Sequence, residues 1–420
     1  MIVFYNILLL TILLFGFPFW VIISLKKKYR HGILRKLCIY KKPDVSKKDF
    51  IMVHGVSVGE INAAIPFIEQ IKQKFPDQLF LVTSSTVTGF INASKKLSGC
   101  TIEYFPLDIY PVVKRFYNHF PISKIFILET EIWPNFFYEA QKRGIPITII
   151  NARISDHSFK KYLLLKKWIA GYLDIPKRIY CQSFSDEKRF RQLGVLPEKL
   201  VTLESMKFDS ALLAFKGFAN KILPWKKALE RRGGAFFLAG STQEAENRIC
   251  LECFLTLKND HPELNLILIP RKPETLNSLF PFLKKKGLSY TLRTQLKNSE
   301  EAIEDILLVD TMGELFDFFS VADMVFIGKS LVKPGGGQNP LEPAVFAKPV
   351  VMGEYYQNFK WIVEEMKNHD AIRIVQDGDG LRRVLKKWIE DIEERERVGN
   401  RAAVYVKNKA GTCEKIINGI

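Results

Sequence analysis

Short apolar segments that alternate with amphipathic helical segments are the feature that most constrains the fold of this chain. Residues 50–53, 124–128 and 264–269 are apolar runs without the period-two alternation of a strand that has one face in water. Apolar residues at helical spacing follow the first run, over residues 60–75. Strands buried on both faces and linked by covering helices have this pattern, so it predicts an α/β fold with parallel sheets.

The strand and helix series occurs twice along the chain. One series occupies residues 50–150, and a second begins at residue 236 after a lysine- and proline-containing stretch at 216–234. We therefore predict two Rossmann-like domains, at 26–215 and 216–420, with ligands at the carboxyl ends of the strands and in the cleft between the domains. A dinucleotide dehydrogenase has a similar outline, but no GxGxxG motif follows any strand.

The N-terminal segment is long and apolar enough to attach the chain to a membrane. Residues 1–25 contain no charged side chain, and Lys26, Lys27, Lys28 and Arg30 follow at once. About 20 apolar residues cross a bilayer core, and a signal peptide would carry its positive charges before the apolar run. We predict a single-pass anchor at 1–25 that leaves the rest of the chain in the cytoplasm. A buried helix is the alternative.

A net charge of +17 indicates an anionic partner. Basic residues continue through Lys41, Lys42, Lys47 and Lys48 after the predicted anchor, so we expect contact with anionic lipid headgroups. The hydrophobic content of 47% excludes intrinsic disorder. The sequence lacks the basic motifs interleaved with aromatic residues that bind single-stranded nucleic acid, so no nucleic-acid partner is expected.

The positions of cysteine and histidine indicate no metal site. Cys250 and Cys253 form a CxxC pair inside an apolar helical segment, where both are expected to pack as small hydrophobic residues. The six histidines lie far apart in the sequence. We expect neither a metal ion nor a cofactor.

Three segments of the second half predict a nucleotide pocket. The segment 335–343 is rich in glycine and enters a helix, with Asn339 suited to cap that helix and Pro340 to its first turn. Such a helix start attracts phosphate, and Glu342 is suited to accept ribose hydroxyls. Arg271 follows Pro270 at another strand end, where a guanidinium group can bind a phosphate or a base. Met312, Gly313 and Glu314 begin a further helix. A plain glycine turn and a surface ion pair are the alternatives.

Carboxylates mark the strand ends of the first half. Glu60 follows Gly59 at a strand-to-helix turn, where helix N–H groups keep a carboxylate ionised, and this predicts a general base. An ordinary glutamate in a first helical turn is the alternative. Glu129 and Glu131 follow the strand predicted at 124–128. Lys207, near the boundary between the halves, is suited to neutralise charge on an anionic donor.

Seven short segments extend over nearly the whole chain. They are HGVSVGE (54–60), ETEIWPN (129–135), NAR (151–153), MKFD (206–209), GSTQEAE (240–246), DTMGEL (310–315) and GGGQNPLEPA (335–344). In order and spacing they resemble the Kdo transferase family, the membrane-anchored enzymes that attach 3-deoxy-D-manno-octulosonic acid (Kdo) to lipid A precursors in Gram-negative bacteria.

The resemblance implies a GT-B glycosyltransferase with an N-terminal acceptor half and a C-terminal half that binds CMP-Kdo, the last helix being free to pack back on the N-terminal half. It implies inverting transfer of Kdo to a lipid A precursor, lipid IVA, in lipopolysaccharide inner-core synthesis at the inner membrane. Glu60 matches the family's proton acceptor, and Glu129 and Lys207 match positions assigned to transition-state stabilisation. The CMP-contacting positions match Pro270, Arg271, Met312, Gly313, Glu314, Asn339, Pro340, Leu341 and Glu342.

Several positions depart from the family pattern. Histidine is replaced by Gln243, Lys272 and Gln338, and glycine is replaced by Glu204, Ala245 and Lys329. The catalytic and CMP-contacting positions are kept, so we expect transfer activity. The replaced positions bear on donor affinity and on the number of Kdo units added.

Two other functions fit part of the sequence. Another membrane-associated GT-B enzyme that uses a UDP-sugar would share the anchor and the cleft. A non-catalytic basic membrane scaffold accounts for the charge and the anchor, but it gives no reason for carboxylates at successive strand ends.

Overall fold

The computed structural model describes residues 2–3, 5–12, 15, 32–39, 49–219, 221–296 and 301–420. The chain divides into two units, Met1–Ser210 with Ala410–Ile420, and Ala211–Lys409. The first unit therefore ends a few residues before the predicted boundary at 215/216, and it includes the C-terminal residues.

A parallel sheet of seven strands forms the centre of the first unit. The strands are β1 (Phe50–His54), β2 (Leu79–Ser84), β3 (Thr101–Tyr104), β4 (Ile122–Leu128), β5 (Ile147–Ala152), β6 (Arg178–Cys181) and β7 (Leu200–Thr202). Their order in the sheet is β3-β2-β1-β4-β5-β6-β7. The helices are α1 (Ile33–Lys36), α2 (Val58–Lys74), α3 (Val87–Lys96), α4 (Tyr110–His119), α5 (Pro134–Lys142), α6 (Asp156–Leu164), α7 (Lys166–Leu173), α8 (Phe184–Gln192) and the start of α9 (Met206–Phe218).

The second unit also contains seven parallel strands. They are β8 (Ala235–Thr242), β9 (Leu264–Pro270), β10 (Thr291–Leu292), β11 (Ile306–Leu308), β12 (Met324–Ile327), β13 (Val350–Gly353) and β14 (Arg373–Val375), in the order β10-β11-β9-β8-β12-β13-β14. The helices are α10 (Lys226–Arg232), α11 (Glu244–Lys258), α12 (Phe280–Lys285), α13 (Leu315–Phe318), α14 (Leu341–Ala344), α15 (Lys360–Asn368), α16 (Gly378–Glu390) and α17 (Ile392–Lys409). The last helix, α18 (Thr412–Asn418), packs on α2 of the first unit.

Burial on both faces explains why the strands are continuous apolar runs. In β1, Ile51 and Val53 join a core with residues of α2, whereas Phe50 and Met52 join the core on the opposite face with residues of α4. Alternate side chains of one strand thus enter two different cores, so neither set can be polar. The predicted α/β fold with parallel sheets is confirmed.

Each sheet has a point at which the strand order reverses direction. In the first unit this point lies between β1 and β4, and in the second unit it lies between β8 and β12. Ligands of open α/β sheets bind outside the carboxyl ends of the strands at such points. The segments that follow these strands begin at residues 55, 129, 243 and 328, and they contain several of the motifs singled out above.

The predicted membrane anchor falls largely on residues that lie outside those described, as do residues 26–30 and 41–48. Residues 2–3 and 5–12 are helical, and we call them the N-terminal helix. Within the described part of the chain, no helix has the length and apolar character that a membrane crossing needs.

Candidate active site

Glu60 lies in the first turn of α2, directly after the loop that leaves β1. Both of its carboxylate oxygens accept hydrogen bonds from that loop, Oε1 from the hydroxyl of Ser57 at 2.8 Å and Oε2 from the backbone N–H of Val56 at 2.8 Å. Ser57 is also the N-cap residue of α2 and accepts a hydrogen bond from the N–H of Glu60. The loop and the helix start therefore fix the position of this carboxylate.

Three carboxylates of the first unit interact electrostatically. Burial raises the pKa of Glu60 above its usual value, and the charge of Glu129 raises it further. Burial, with the charges of Glu60 and Glu129, raises the pKa of Glu131 to about 7. A carboxylate with a raised pKa is a stronger base than an exposed one, and a pKa near neutrality suits acid-base catalysis.

Lys207 places a positive charge near the carboxylates of Glu60 and Glu129. Burial lowers its pKa, whereas Glu129 and Glu60 raise it, and the nearby Arg153 lowers it. Its helix, α9, is held at its first residue because Oδ1 of Asn151 accepts a hydrogen bond from the N–H of Met206 at 3.0 Å. The structure thus brings together the three residues predicted to be catalytic, Glu60, Glu129 and Lys207, within one unit.

Non-glycine residues with left-handed backbone recur at the strand ends of both units. Glu129 follows β4 with a φ of 57°, Asn151 lies near the end of β5 with a φ of 52°, and Lys329 follows β12 with a φ of 56°. This conformation costs roughly 1–2 kcal/mol for a residue with a Cβ atom. Such strain is concentrated at functional sites, where it directs side chains or loops.

The carboxylate of Glu246 holds together the loops at the switch point of the second unit. This side chain is fully buried in the first turn of α11. Its two oxygens accept hydrogen bonds from the backbone N–H groups of Lys329, Ser330 and Leu331, at 2.6 to 2.8 Å, and from that of Gln243 at 2.8 Å. Charge-assisted bonds of this kind are strong, so Glu246 fixes the loop that leads into the glycine-rich segment.

The glycine-rich segment is tightly packed against its neighbours. Gly335, Gly336 and Gly337 all have positive φ, and a Cβ atom on Gly336 would lie 2.7 Å from Nδ2 of Asn358. The N–H of Gly337 donates to the carbonyl of Lys329 at 2.7 Å. Larger residues would therefore displace the loop.

The helix after this segment starts later than predicted. Pro340 is its N-cap residue, rather than a residue of its first turn, and Leu341 is its first helical residue. Asn339 still accepts a hydrogen bond from the N–H of Leu341 at 3.1 Å, and its amide donates to Glu342 at 3.1 Å. Residues 338–340 form no helical turn.

Arg271 connects two of the predicted donor segments. It follows Pro270, the last residue of β9, and its Nη1 donates to Oε1 of Gln338 at 2.9 Å. The third segment is organised differently: Glu314 pairs with Arg293 at 2.8 Å, whereas Met312 and Gly313 are exposed. Arg271 and Gln338 thus lie together, and Glu314 is held by a residue outside the predicted set.

Three residues that shape these groups were absent from the predicted set. Glu131 was noted from the sequence as a carboxylate at the same strand end as Glu129, but it was given no catalytic role. Glu246 follows Gln243 by three residues at a helix start, which is a capping-box spacing. Ser57 has the same spacing from Glu60. Arg293 had no local signal, because its partner Glu314 lies in another segment.

Two Rossmann-like units, one with interacting carboxylates and one with a glycine-rich loop at the switch point, define a GT-B-like α/β protein. The structure of UDP-GlcNAc 2-epimerase from Neisseria meningitidis shares this fold, with a TM-score of 0.61 at 14% identity, over 88% of this chain and 98% of that one.

Sequence relatives identify the family. Residues 30–210 match the family model described as 3-deoxy-D-manno-octulosonic-acid transferase (kdotransferase). The 3-deoxy-D-manno-octulosonic acid transferase of Rickettsia felis is 30% identical, over 80% of this chain and 70% of the relative. The protein with the same description from Haemophilus influenzae is 29% identical, over 93% of this chain and 91% of the relative. The chain belongs to the Kdo transferase family and is a glycosyltransferase.

Proposed function

We propose that this glycosyltransferase moves Kdo from CMP-Kdo to a lipid A precursor, with inversion at the anomeric carbon and with Glu60 as the general base. The observation that supports this most directly is the environment of Glu60. Its carboxylate is fixed by Ser57 and Val56, and burial together with Glu129 raises its pKa. A fixed carboxylate with increased basicity is what proton removal from a hydroxyl group requires.

The proposed reaction is a single displacement. Glu60 removes the proton from a hydroxyl group of the acceptor as that oxygen forms a bond to the anomeric carbon of Kdo. The bond from this carbon to the phosphate oxygen breaks, and CMP leaves with the electron pair. Lys207 offsets the negative charge of the Kdo carboxylate. The charge of Glu129 raises the pKa of that amine, against the lowering by burial, and so favours its protonated form.

The donor is assigned to the second unit. Arg271 carries a guanidinium group beside the glycine-rich loop, where it is suited to bind the phosphate of CMP. Asn339 and Glu342 are linked to each other and so are oriented before a nucleotide binds. Glu342 is suited to accept hydrogen bonds from the ribose hydroxyls. We propose no metal ion or cofactor for this reaction.

We also propose that the protein is attached to the inner membrane with both units on the cytoplasmic side. The apolar residues 1–25, the basic residues that follow them and the net charge of +17 support this location. An acceptor that is itself a lipid would be reached from the membrane surface.

Donor preference tests the proposal against the UDP-sugar alternative. We expect CMP to bind the purified protein in isothermal titration calorimetry at least tenfold more tightly than UDP, and Arg271→Gln to weaken CMP binding by about tenfold or more. Arg231→Gln is the matched control, because Arg231 is an exposed arginine of the same unit that precedes β8 and lies in none of the donor segments. Tighter binding of UDP would favour a UDP-sugar enzyme. If both variants changed the affinity for CMP equally, Arg271 would not be part of the donor site.

A further inference from the structure

The inner face of the N-terminal helix is bound to the first unit by polar side chains. The hydroxyl of Tyr5 donates to Oδ2 of Asp108 at 2.9 Å. The side-chain amides of Asn6 and Asn135 exchange two hydrogen bonds, at 2.8 and 2.9 Å. Asn135 is the last residue of the ETEIWPN segment, so the N-terminal helix contacts the motif that contains Glu129 and Glu131.

These contacts reach the interior of the folded unit. Asp108 and Asn135 are both buried, and the carboxylate of Asp108 also accepts hydrogen bonds from the N–H groups of Asn135 and Phe136 at the start of α5. Buried polar groups of this kind are stable only when they are hydrogen-bonded. Tyr5 and Asn6 are therefore part of the folded unit. If the bilayer core surrounded them, it would also have to surround their partner Asp108.

A second attachment lies next to the first. The N–H of Leu107 donates to the carbonyl of Lys36 at 2.9 Å, and Leu107 precedes Asp108. Arg35 pairs with Glu103 at 3.1 Å, which fixes the same segment to β3. Tyr5 and Lys36 thus contact consecutive residues of one folded unit.

From this geometry we infer that the N-terminal helix lies in the plane of the membrane surface rather than across the bilayer. A single crossing between Tyr5 and Lys36 would place these residues on opposite sides of the membrane, which their adjacent partners exclude. Two crossings require roughly 40 apolar residues, more than residues 13–31 contain. The inference rests on the proposed membrane attachment but on neither the donor nor the acceptor.

The outer face of the helix fits a lipid surface. Tyr5 and Asn6 contact the folded unit, whereas most of the exposed side chains are apolar and Thr11 is an exposed polar one. The exposed apolar residues are Val3, Ile7, Leu8, Leu10 and Ile12, with Phe15 following the helix. A predominantly apolar exposed face is unfavourable in water and is typical of helices that bury one face at the boundary between headgroups and acyl chains. The basic residues that follow at 26–30 suit anionic headgroups.

Sidedness of the chain ends gives the first test. One epitope tag is added before Met1 and another after Ile420. Right-side-out and inside-out vesicles of the expressing bacterium are then treated with protease. Because both ends lie on one side, we expect digestion of both tags in inside-out vesicles only. Digestion of the N-terminal tag in right-side-out vesicles would overturn the inference.

Depth in the bilayer gives the second test. Val3→Cys and Leu10→Cys, each in a Cys100→Ser background, are labelled with an environment-sensitive fluorophore in vesicles that contain phosphatidylglycerol. We expect lipid-borne quenchers to report the same shallow depth for both positions. A spanning helix would separate them by about 10 Å along the membrane normal, because the helix rises about 1.5 Å per residue.

The polar contacts are tested separately. We expect Asn6→Leu to accelerate amide hydrogen exchange at residues 135 and 136 several-fold in the vesicle-bound protein. Thr11→Val is the matched control, because the hydroxyl of Thr11 donates to the carbonyl of Ile7 in its own helix. Equal exchange in the two variants would contradict the docking of the helix. None of these measurements depends on transfer activity, so a failure of the proposed function is distinguishable from a failure of this inference.

Discussion

The hydroxyl of Ser57 donates a hydrogen bond to the carboxylate of Glu60 at 2.8 Å, and its oxygen accepts one from the N–H of the same residue at 3.4 Å. The two residues have the spacing of a capping box, and the bond from the N–H of Glu60 to the N-cap side chain stabilises the helix start. Here Ser57 also fixes the side chain that we propose as the base. The start of α2 therefore serves both the stability of the helix and the orientation of the carboxylate.

Replacement of the proposed base is expected to remove most of the transfer rate. Glu60→Gln keeps the size of the side chain but cannot accept a proton, so we expect turnover to fall by about 10²–10⁴-fold. Initial rates with saturating donor and acceptor measure this. Glu69→Gln, an exposed position on the same helix, should retain full turnover. If both variants kept the rate of the original protein, Glu60 would not be the base.

The raised pKa of Glu131 predicts a stability effect that depends on pH. The pKa rises from 4.5 to about 7 on folding, so the ionised side chain opposes folding and stability is lost as the pH rises through about 7. Glu131→Gln should therefore increase the free energy of unfolding at pH 8 by about 1–3 kcal/mol and leave it nearly unchanged at pH 4. Urea denaturation at both pH values measures the difference. A constant difference at all pH values would contradict the assigned pKa.

The left-handed backbone of Lys329 predicts a stabilising substitution. Its φ is 56°, and glycine adopts this conformation without the Cβ penalty. We expect Lys329→Gly to raise the free energy of unfolding by about 1 kcal/mol. Lys329→Ala keeps the Cβ atom and serves as the control, so it should bring no such gain. Equal stability of the two variants in urea denaturation would show that the strain is absent.

Loss of the Glu246 carboxylate is expected to disorganise the loop before the glycine-rich segment. Glu246→Gln places an amide against N–H donors and leaves part of them unpaired, which costs about 1–3 kcal/mol for each buried group. We expect weaker binding of CMP in calorimetry together with a lower free energy of unfolding. Glu244→Gln, an exposed position of the same helix, should change neither. If Glu246→Gln bound CMP as tightly as the original protein, this loop would not be part of the donor site.

Much of the fold was predictable because its pattern is local. The strand β1 is apolar on both faces, and α2 repeats apolar residues at helical spacing, so neighbouring residues carried the information. The sequence also indicated Glu60 and Glu129, because they follow strand ends. It did not indicate that Glu246 would bind Ser330, since the two lie 84 residues apart.

The N-terminal helix shows most clearly what the sequence alone could not predict. Its composition is that of a membrane-spanning segment. The contacts of Tyr5 with Asp108 and of Asn6 with Asn135, across 103 and 129 residues, reveal that it is docked. Short strands such as β7 and β10 were not predicted either. They have three and two residues and so contain too few positions for a periodic pattern.

Product analysis with the purified protein tests the central proposal most directly. The protein is incubated with a tetra-acylated lipid A precursor and CMP-Kdo generated in the same reaction, and the lipid product is examined by mass spectrometry and NMR spectroscopy. We expect a lipid that has gained one or more Kdo residues, with inverted anomeric configuration and with release of one CMP for each residue. An unmodified lipid in the presence of intact CMP-Kdo, or a Kdo residue with retained configuration, would contradict the proposal.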